Sequence, residues 1–267
     1  MNSTASPRGA LYLVPTPLDF GCVPADQPAA AIDLLLPGET LTVAARLTHW
    51  IAENAKSARA FLKRVDAVRP LASPLQAQQI TELPRQVHKK GDHSPADVAN
   101  APARALLAPA LAGHDIGLVS EAGMPAIADP GSSIVRAAHA LDIEVRPLTG
   151  PVSLMLALAA SGLHGQDFAF VGYVPQDPAL RSRRLKELEA QALRTGQTQI
   201  LIETPYRNAA LLQALQQGLQ PATRLAVACG LGLPQQRTRS APAGEWKSRQ
   251  LMAALPLDLP AVFLIGR

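Results

Sequence analysis

Apolar positions along this chain fall into short β-type runs separated by longer stretches of helical period, and the two alternate from end to end. In the first half the pattern predicts strands at residues 11–14, 49–53, 79–83, 116–120 and 143–148. Between them it predicts helices at 38–47, 54–65, 94–112 and 134–141, with a further helix opening at 152–161. The second half predicts strands at 168–174, 199–203, 224–229 and 261–265, and helices at 178–195, 206–218 and 248–255. Residues 1–9 read as a frayed tail. Strand followed by helix followed by strand is the unit of a parallel sheet, because parallel neighbours need a long crossover.

The stretch 116–151 is the centre of this pattern. A β-type run passes into a loop rich in Gly and Pro, residues 121–131, which carries Glu121 and Asp129. Ser132 and Ser133 then fall at the expected N-cap of the next helix, and Thr149-Gly-Pro-Val-Ser153 opens the one after. In an open parallel sheet, ligands bind beyond the carboxyl ends of the strands, so both loops face one crevice. The helices that they open present free N–H groups and a positive dipole end to an anion, while Glu121 and Asp129 suit an ammonium or a sulfonium. Tight turns, with Asp129 and Ser132 capping and Gly131 relieving backbone strain, would explain either loop alone. Two such loops in register point to a binding site.

Length and composition narrow the class. The chain has 267 residues, enough for one large or two modest domains. Apolar residues make up 48% and aromatic residues 4%, so the core must be aliphatic. The net charge of +4 is unevenly placed: residues 1–150 hold 13 basic and 14 acidic side chains, residues 151–267 hold 12 and 7. That excess in the second half favours an anionic partner such as RNA. Arg181, Arg183, Arg184 and Lys186 crowd one end of a predicted helix and are candidate phosphate contacts, although Glu187 and Glu189 stand at ion-pairing spacings. Lys89 and Lys90 form a smaller loop cluster. Cys22 and Cys229 match no redox or metal spacing and read as small buried hydrophobes, and the six histidines show no ligand spacing. The N-terminus lacks an apolar signal core, and the longest apolar run, 152–163, is too short to span a bilayer, so a soluble cytoplasmic protein without a membrane partner is expected. The halves show no internal repeat and no linker. Two packed α/β domains with an interdomain cleft are expected: residues 1–150 around a parallel sheet and residues 151–267 around a mixed one.

Several stretches carry a resemblance. Ser120-Glu-Ala-Gly-Met-Pro-Ala-Ile-Ala-Asp-Pro-Gly131 followed by Gly150-Pro-Val-Ser153 resembles the paired motifs of the tetrapyrrole methylase family of S-adenosylmethionine-dependent methyltransferases. Leu11-Tyr-Leu-Val-Pro-Thr-Pro17, Ile51-Ala-Glu-Asn54, residues 170–175 and Glu203-Thr-Pro-Tyr-Arg207 extend the likeness along most of the chain. Within the family it is most similar to the branch that methylates ribose 2′-hydroxyls of small-subunit ribosomal RNA. The resemblance implies a homodimer that binds S-adenosylmethionine in the cleft. It implies donor contacts from Pro15, Ser120, Glu121, Ala122, Gly123, Pro125, Ala126, Asp129, Gly150, Pro151 and Ser153 of the first domain, and from Glu203, Thr204 and Leu231 of the second. The implied acceptor is rRNA or the small ribosomal subunit.

Two stretches depart from that branch. The first loop reads Leu18-Asp-Phe-Gly21 where the branch has a Gly-Asn-Leu type of turn, and Glu53-Asn-Ala-Lys56 stands where it has Glu-Asp-Thr-Arg. A ribose hydroxyl needs a proton acceptor because its pKa lies far above neutrality. Glu53, with Lys56 beside it, is the candidate, and Asp19 is the alternative. A tetrapyrrole or other small-molecule acceptor, and a catalytically silent donor-binding paralogue, are the competing readings.

Overall fold

In the computed structural model, which describes residues 8–19, 21–23, 28–84 and 101–267, the chain divides into two compact units, Met1–Pro151 and Val152–Arg267. At the heart of the first lies β4 (Ile116–Val119), buried along its whole length. It is flanked by β1 (Leu11–Leu13) and β2 (His49–Ala52), with β3 (Gln79–Glu82) and β5 (Val145–Pro147) outermost. The order is β3-β2-β4-β1-β5, and every pairing is parallel.

The two-residue period of the strands sorts their side chains between two cores. Tyr12, Trp50 and Val119 face α1 (Gly38–Arg46) and α2 (Ala55–Asp66), while Leu11, Ile51, Ile116 and Leu118 face the opposite layer. That layer consists of α3 (Ala101–Leu106), α4 (Ala108–Leu111) and α5 (Ser132–Ala140). A sheet covered on both faces leaves the strand ends as its open surface. The buried indole of Trp50 donates to Gln78 Oε1 at 3.0 Å, so the largest side chain of this core keeps its polar atom satisfied.

The second unit is built on β6 (Phe168–Gly172), β7 (Thr198–Glu203), β8 (Arg224–Cys229), β9 (Arg237–Pro242) and β10 (Ala261–Gly266), in the order β6-β7-β10-β8-β9. β6 and β7 run parallel and the remaining pairs antiparallel. On one face α6 (Ser153–Ser161) covers Ile200, Ala226, Val262 and Leu264. On the other, α7 (Pro178–Thr195) and α8 (Asn208–Gly218) close over Leu201, Val227 and Phe263.

Several expectations are corrected. The helix expected at 94–112 is described from Ala101 and breaks at Leu107 into α3 and α4, because Pro109 has no N–H with which to continue the ladder. Ser132 and Ser133 lie inside α5, whose N-cap is Gly131 with no side-chain cap bond. The helix expected at 248–255 is instead α9 (Glu245–Ser248) and a 3₁₀ turn, Leu251–Ala254, separated by Gln250 in left-handed backbone. α9 starts early because Trp246 is fully buried and its indole donates to Ala241 O. Residues 8 and 9 are tied down rather than frayed, since Gly9 donates to Ala110 O at 2.9 Å. Cys229 is buried, and burial pushes its thiol up to about 12, whereas Cys22 is only half-buried. Lys89, Lys90, His88 and His93 lie outside the described residues. No helix among the described residues is long and apolar enough to cross a membrane.

Candidate functional site

Four strands of the first unit end at one edge of the sheet, and the loops that leave them are stitched together by short contacts. After β1, Thr16 exchanges two backbone hydrogen bonds with Gly123 of the β4 loop, at 2.9 and 3.0 Å. Gly123 takes a φ of +78°, a conformation that L side chains adopt only with strain. After β5, Gly150 lies directly against Pro15: a Cβ on Gly150 would stand 2.2 Å from Pro15 Cγ. Thr40 at the start of α1 donates its hydroxyl to Thr149 O at 2.7 Å and holds the same loop from the other side. After β2, the Glu53 carboxylate accepts the backbone N–H of Glu121 at 3.4 Å.

The β4 loop also holds strained backbone. Ala126 and Ala128 both have a φ of 64°, a region that costs a non-glycine residue about 1 kcal/mol or more and persists only where the surroundings enforce it. Asp129 follows directly. Burial, and then the nearby Glu53 and Glu121, push its carboxyl up to about 7. Ser120 lies close enough to oppose that rise, although its buried hydroxyl makes no hydrogen bond of ordinary geometry. Three carboxyl groups thus share one loop cluster. A cation placed there would offset their repulsion.

Of the residues expected at the donor site, Pro15, Ser120, Gly123 and Pro125 are buried, and Glu121, Ala122, Ala126, Asp129, Gly150, Pro151 and Ser153 are half-buried. The first-unit set is brought together as far as the contacts above reach. In the second unit, Glu203 is nine-tenths buried and its carboxylate is already engaged by Thr204 N at 2.7 Å and by the Arg207 guanidinium at 2.7 and 3.0 Å. Its side chain therefore serves the turn after β7, while Thr204 and Leu231 are half-buried in their loops.

The two departing stretches acquire physical explanations. Asn54 is the N-cap of α2, and its Oδ1 accepts from Lys56 N at 2.8 Å and Ser57 N at 3.4 Å. Asp and Asn are about equally good at that task, so this exchange leaves the turn after Glu53 intact. Lys56 is exposed on the first turn of α2. Asp19 cannot serve as a free proton acceptor: it is buried and makes a bidentate pair with Arg64, two bonds of 2.9 Å. Arg64, which also donates to Ala30 O, clamps the first loop onto α2. Nothing in the local pattern around residue 64 marks it off from any other helix cation. Replacing Arg64 with Ala leaves Asp19 buried and unpaired, and urea unfolding should show a loss of about 3 kcal/mol.

A parallel sheet covered on both faces, followed by a unit built on a mixed sheet, defines a two-unit α/β protein. The chain matches the model for Tetrapyrrole (Corrin/Porphyrin) Methylases over residues 55–247, and it belongs to that family. Among curated relatives it is 32% identical over 208 residues to the ribosomal RNA small subunit methyltransferase I of Micromonospora olivasterospora, covering 78% of this chain and 55% of that protein. It is 41% identical over 105 residues to the protein of the same name from Xylella fastidiosa, covering 39% and 37%. The matches thus span about a third to a half of the length of these relatives. Among solved structures, the methyltransferase CobJ superposes with a TM-score of 0.54 at 19% identity, covering 97% of this chain and 94% of that one. A cobalt precorrin-4 methyltransferase gives 0.53 at 12% identity, covering 96% and 94%. At these identities the likeness concerns the fold.

Proposed function

We propose that this chain is an S-adenosylmethionine-dependent methyltransferase that modifies a ribose 2′-hydroxyl of small-subunit ribosomal RNA, in the cytoplasm and as a homodimer. The observation that carries the reading is the loop cluster itself. Four carboxyl-end loops are locked together by Thr16–Gly123, Gly150–Pro15 and Glu53–Glu121, with Asp129 near Glu53 and Glu121. The names of the curated relatives support the acceptor.

S-adenosylmethionine, when bound, supplies an activated methyl group on a cationic sulfonium. The three carboxyl groups suit that charge and the donor's ammonium. The chain's own task is chiefly positioning, because holding a nucleophile in line at near-attack distance supplies most of such a rate. The acceptor hydroxyl must also lose its proton as the new O–C bond forms. Glu53 is the proposed acceptor of that proton, with Lys56 one turn away as a cation for the neighbouring phosphate.

The test is calorimetric titration with S-adenosylmethionine and S-adenosylhomocysteine, followed by transfer of labelled methyl to unmodified small ribosomal subunits. Micromolar binding, and label recovered in a nucleotide that resists alkaline cleavage, is the expected result, since a 2′-O-methyl group removes the internal nucleophile. Failure to bind either ligand would refute the donor assignment. Label entering a porphyrinogen but not RNA would refute the acceptor.

A further inference from the structure

α7 carries Arg181, Arg183, Arg184 and Lys186 within two turns, and the structure divides them into two pairs. Arg183 and Arg184 both reach Glu187, at 3.1 and 3.4 Å, so their charge is partly spent. The other acids of this helix are also engaged. Glu189 is buried and accepts from Gln220 N at 2.7 Å and Thr223 Oγ1 at 2.5 Å, and Asp177 caps the helix by accepting from Leu180 N at 2.9 Å. Among the described residues Arg181 and Lys186 have no ion-pair partner.

Both of these unmatched cations line one groove, between α7 and α8, together with Ser182 and Gln217. The opposite wall is completed by Ala214 and Gly218, which are small and neutral and leave room for a bulky anion. The first turn of α7 adds the positive end of an 18-residue helix. The last turn of α8 presents carbonyl oxygens of the opposite sense, so the two side chains must supply most of the attraction. Five positions along a helix separate Arg181 from Lys186 by about 7.5 Å of rise, enough for each to meet a different phosphate group.

We infer that the α7–α8 groove of the second unit holds the sugar-phosphate backbone of RNA, with Arg181 and Lys186 each contacting one phosphate and Ser182 and Gln217 supplying hydrogen bonds. This rests on RNA being the methyl acceptor. It moves the expected phosphate contact off Arg183 and Arg184, which are tied to Glu187, and onto the pair that is free of acids.

The experiment is fluorescence anisotropy of the full chain with a fluorescein-labelled single-stranded fragment of small-subunit rRNA, titrated at 50–200 mM KCl. Each phosphate contact to a single strand contributes about 0.7 to the slope of log affinity against log salt. The double variant R181Q/K186Q should flatten the slope by about 1.4 and weaken binding about 25-fold at 0.1 M salt. R183Q/R184Q, which removes the same formal charge, should weaken it less than about threefold. K186Q alone, at an exposed position, should flatten the slope by about 0.7 and guards against misfolding of the double variant. Equal losses in both double variants would mean a diffuse basic field and overturn the groove, as would an unchanged slope in R181Q/K186Q. Poly-glutamate displacing RNA from the wild type at equal charge would overturn it in favour of an acidic polypeptide. Calorimetry with S-adenosylmethionine on the same samples separates the two proposals: groove variants that bind the donor normally but lose RNA support the groove. A wild type that binds RNA with the expected slope but not the donor leaves the groove standing and removes the methyltransferase reading.

Discussion

Gly150→Ala is expected to weaken S-adenosylmethionine binding and to slow methyl transfer about 100-fold while leaving the second unit folded. Carbon atoms in contact sit about 3.5–4.0 Å apart, yet a Cβ at residue 150 would meet Pro15 Cγ at 2.2 Å and Pro15 Cβ at 2.4 Å. The loops after β1 and β5 must therefore part by more than 1 Å, roughly, and a misplacement of that size costs about 10²-fold where geometry carries the chemistry. The same overpacking should cost the first unit about 1–3 kcal/mol. The second unit has its own core around Phe263, Val227 and Leu201, so a biphasic urea transition should show the loss in one phase only. Gly38→Ala, where an added Cβ meets nothing within 4 Å, is the matched control and should change neither quantity appreciably. If Gly150→Ala bound the donor as tightly as the parent, the β5 loop would have no part in the site.

Asp129→Asn should raise stability above neutral pH and weaken donor binding at the same time. The sign follows from the shift: the folded-state carboxyl is pushed up to about 7 by burial, by Glu53 and by Glu121, whereas the unfolded chain titrates near its ordinary 3.8. Between those values the folded state holds a proton that the unfolded state has released, so the wild type loses stability as pH rises from about 4 to about 7 and then levels off. Asn cannot ionise and does not incur that penalty. Urea unfolding of Asp129→Asn and wild type should coincide near pH 4 and diverge to about 2–4 kcal/mol in favour of the variant at pH 8. Donor affinity should run the other way. A sulfonium or ammonium favours the ionised carboxylate, so wild-type affinity should climb through pH 7 while the variant stays flat and at least about tenfold weaker at pH 8. A variant no more stable than the wild type at pH 8, together with a wild-type affinity indifferent to pH, would show that Asp129 is an ordinary solvated acid. Stability given up at a loop that also carries two left-handed alanines is the pattern expected where structure is held away from its own optimum for the sake of binding.

How much of this was legible along the chain depends on range. Legible in neighbouring positions were the alternation of strands and helices, the fully apolar run of β4, the Gly- and Pro-rich loops after β4 and β5, and the Ser120–Gly131 and Gly150–Ser153 motifs that resemble the tetrapyrrole methylases. Those are local features: a two-residue or 3.6-residue period, and the turn chemistry of Gly and Pro, are written in neighbouring positions. The tertiary structure alone decided that β4 inserts between β1 and β2, that Arg64 reaches across 45 positions to occupy Asp19, and that Glu53 meets the backbone of a residue 68 positions away. It alone divided four similar cations on α7 into a pair held by Glu187 and a pair left facing a groove. The physical reason is the same in each case. Pairing between distant groups is set by close packing of whole elements, which fixes which polar atoms are desolvated together, and no local period carries that information.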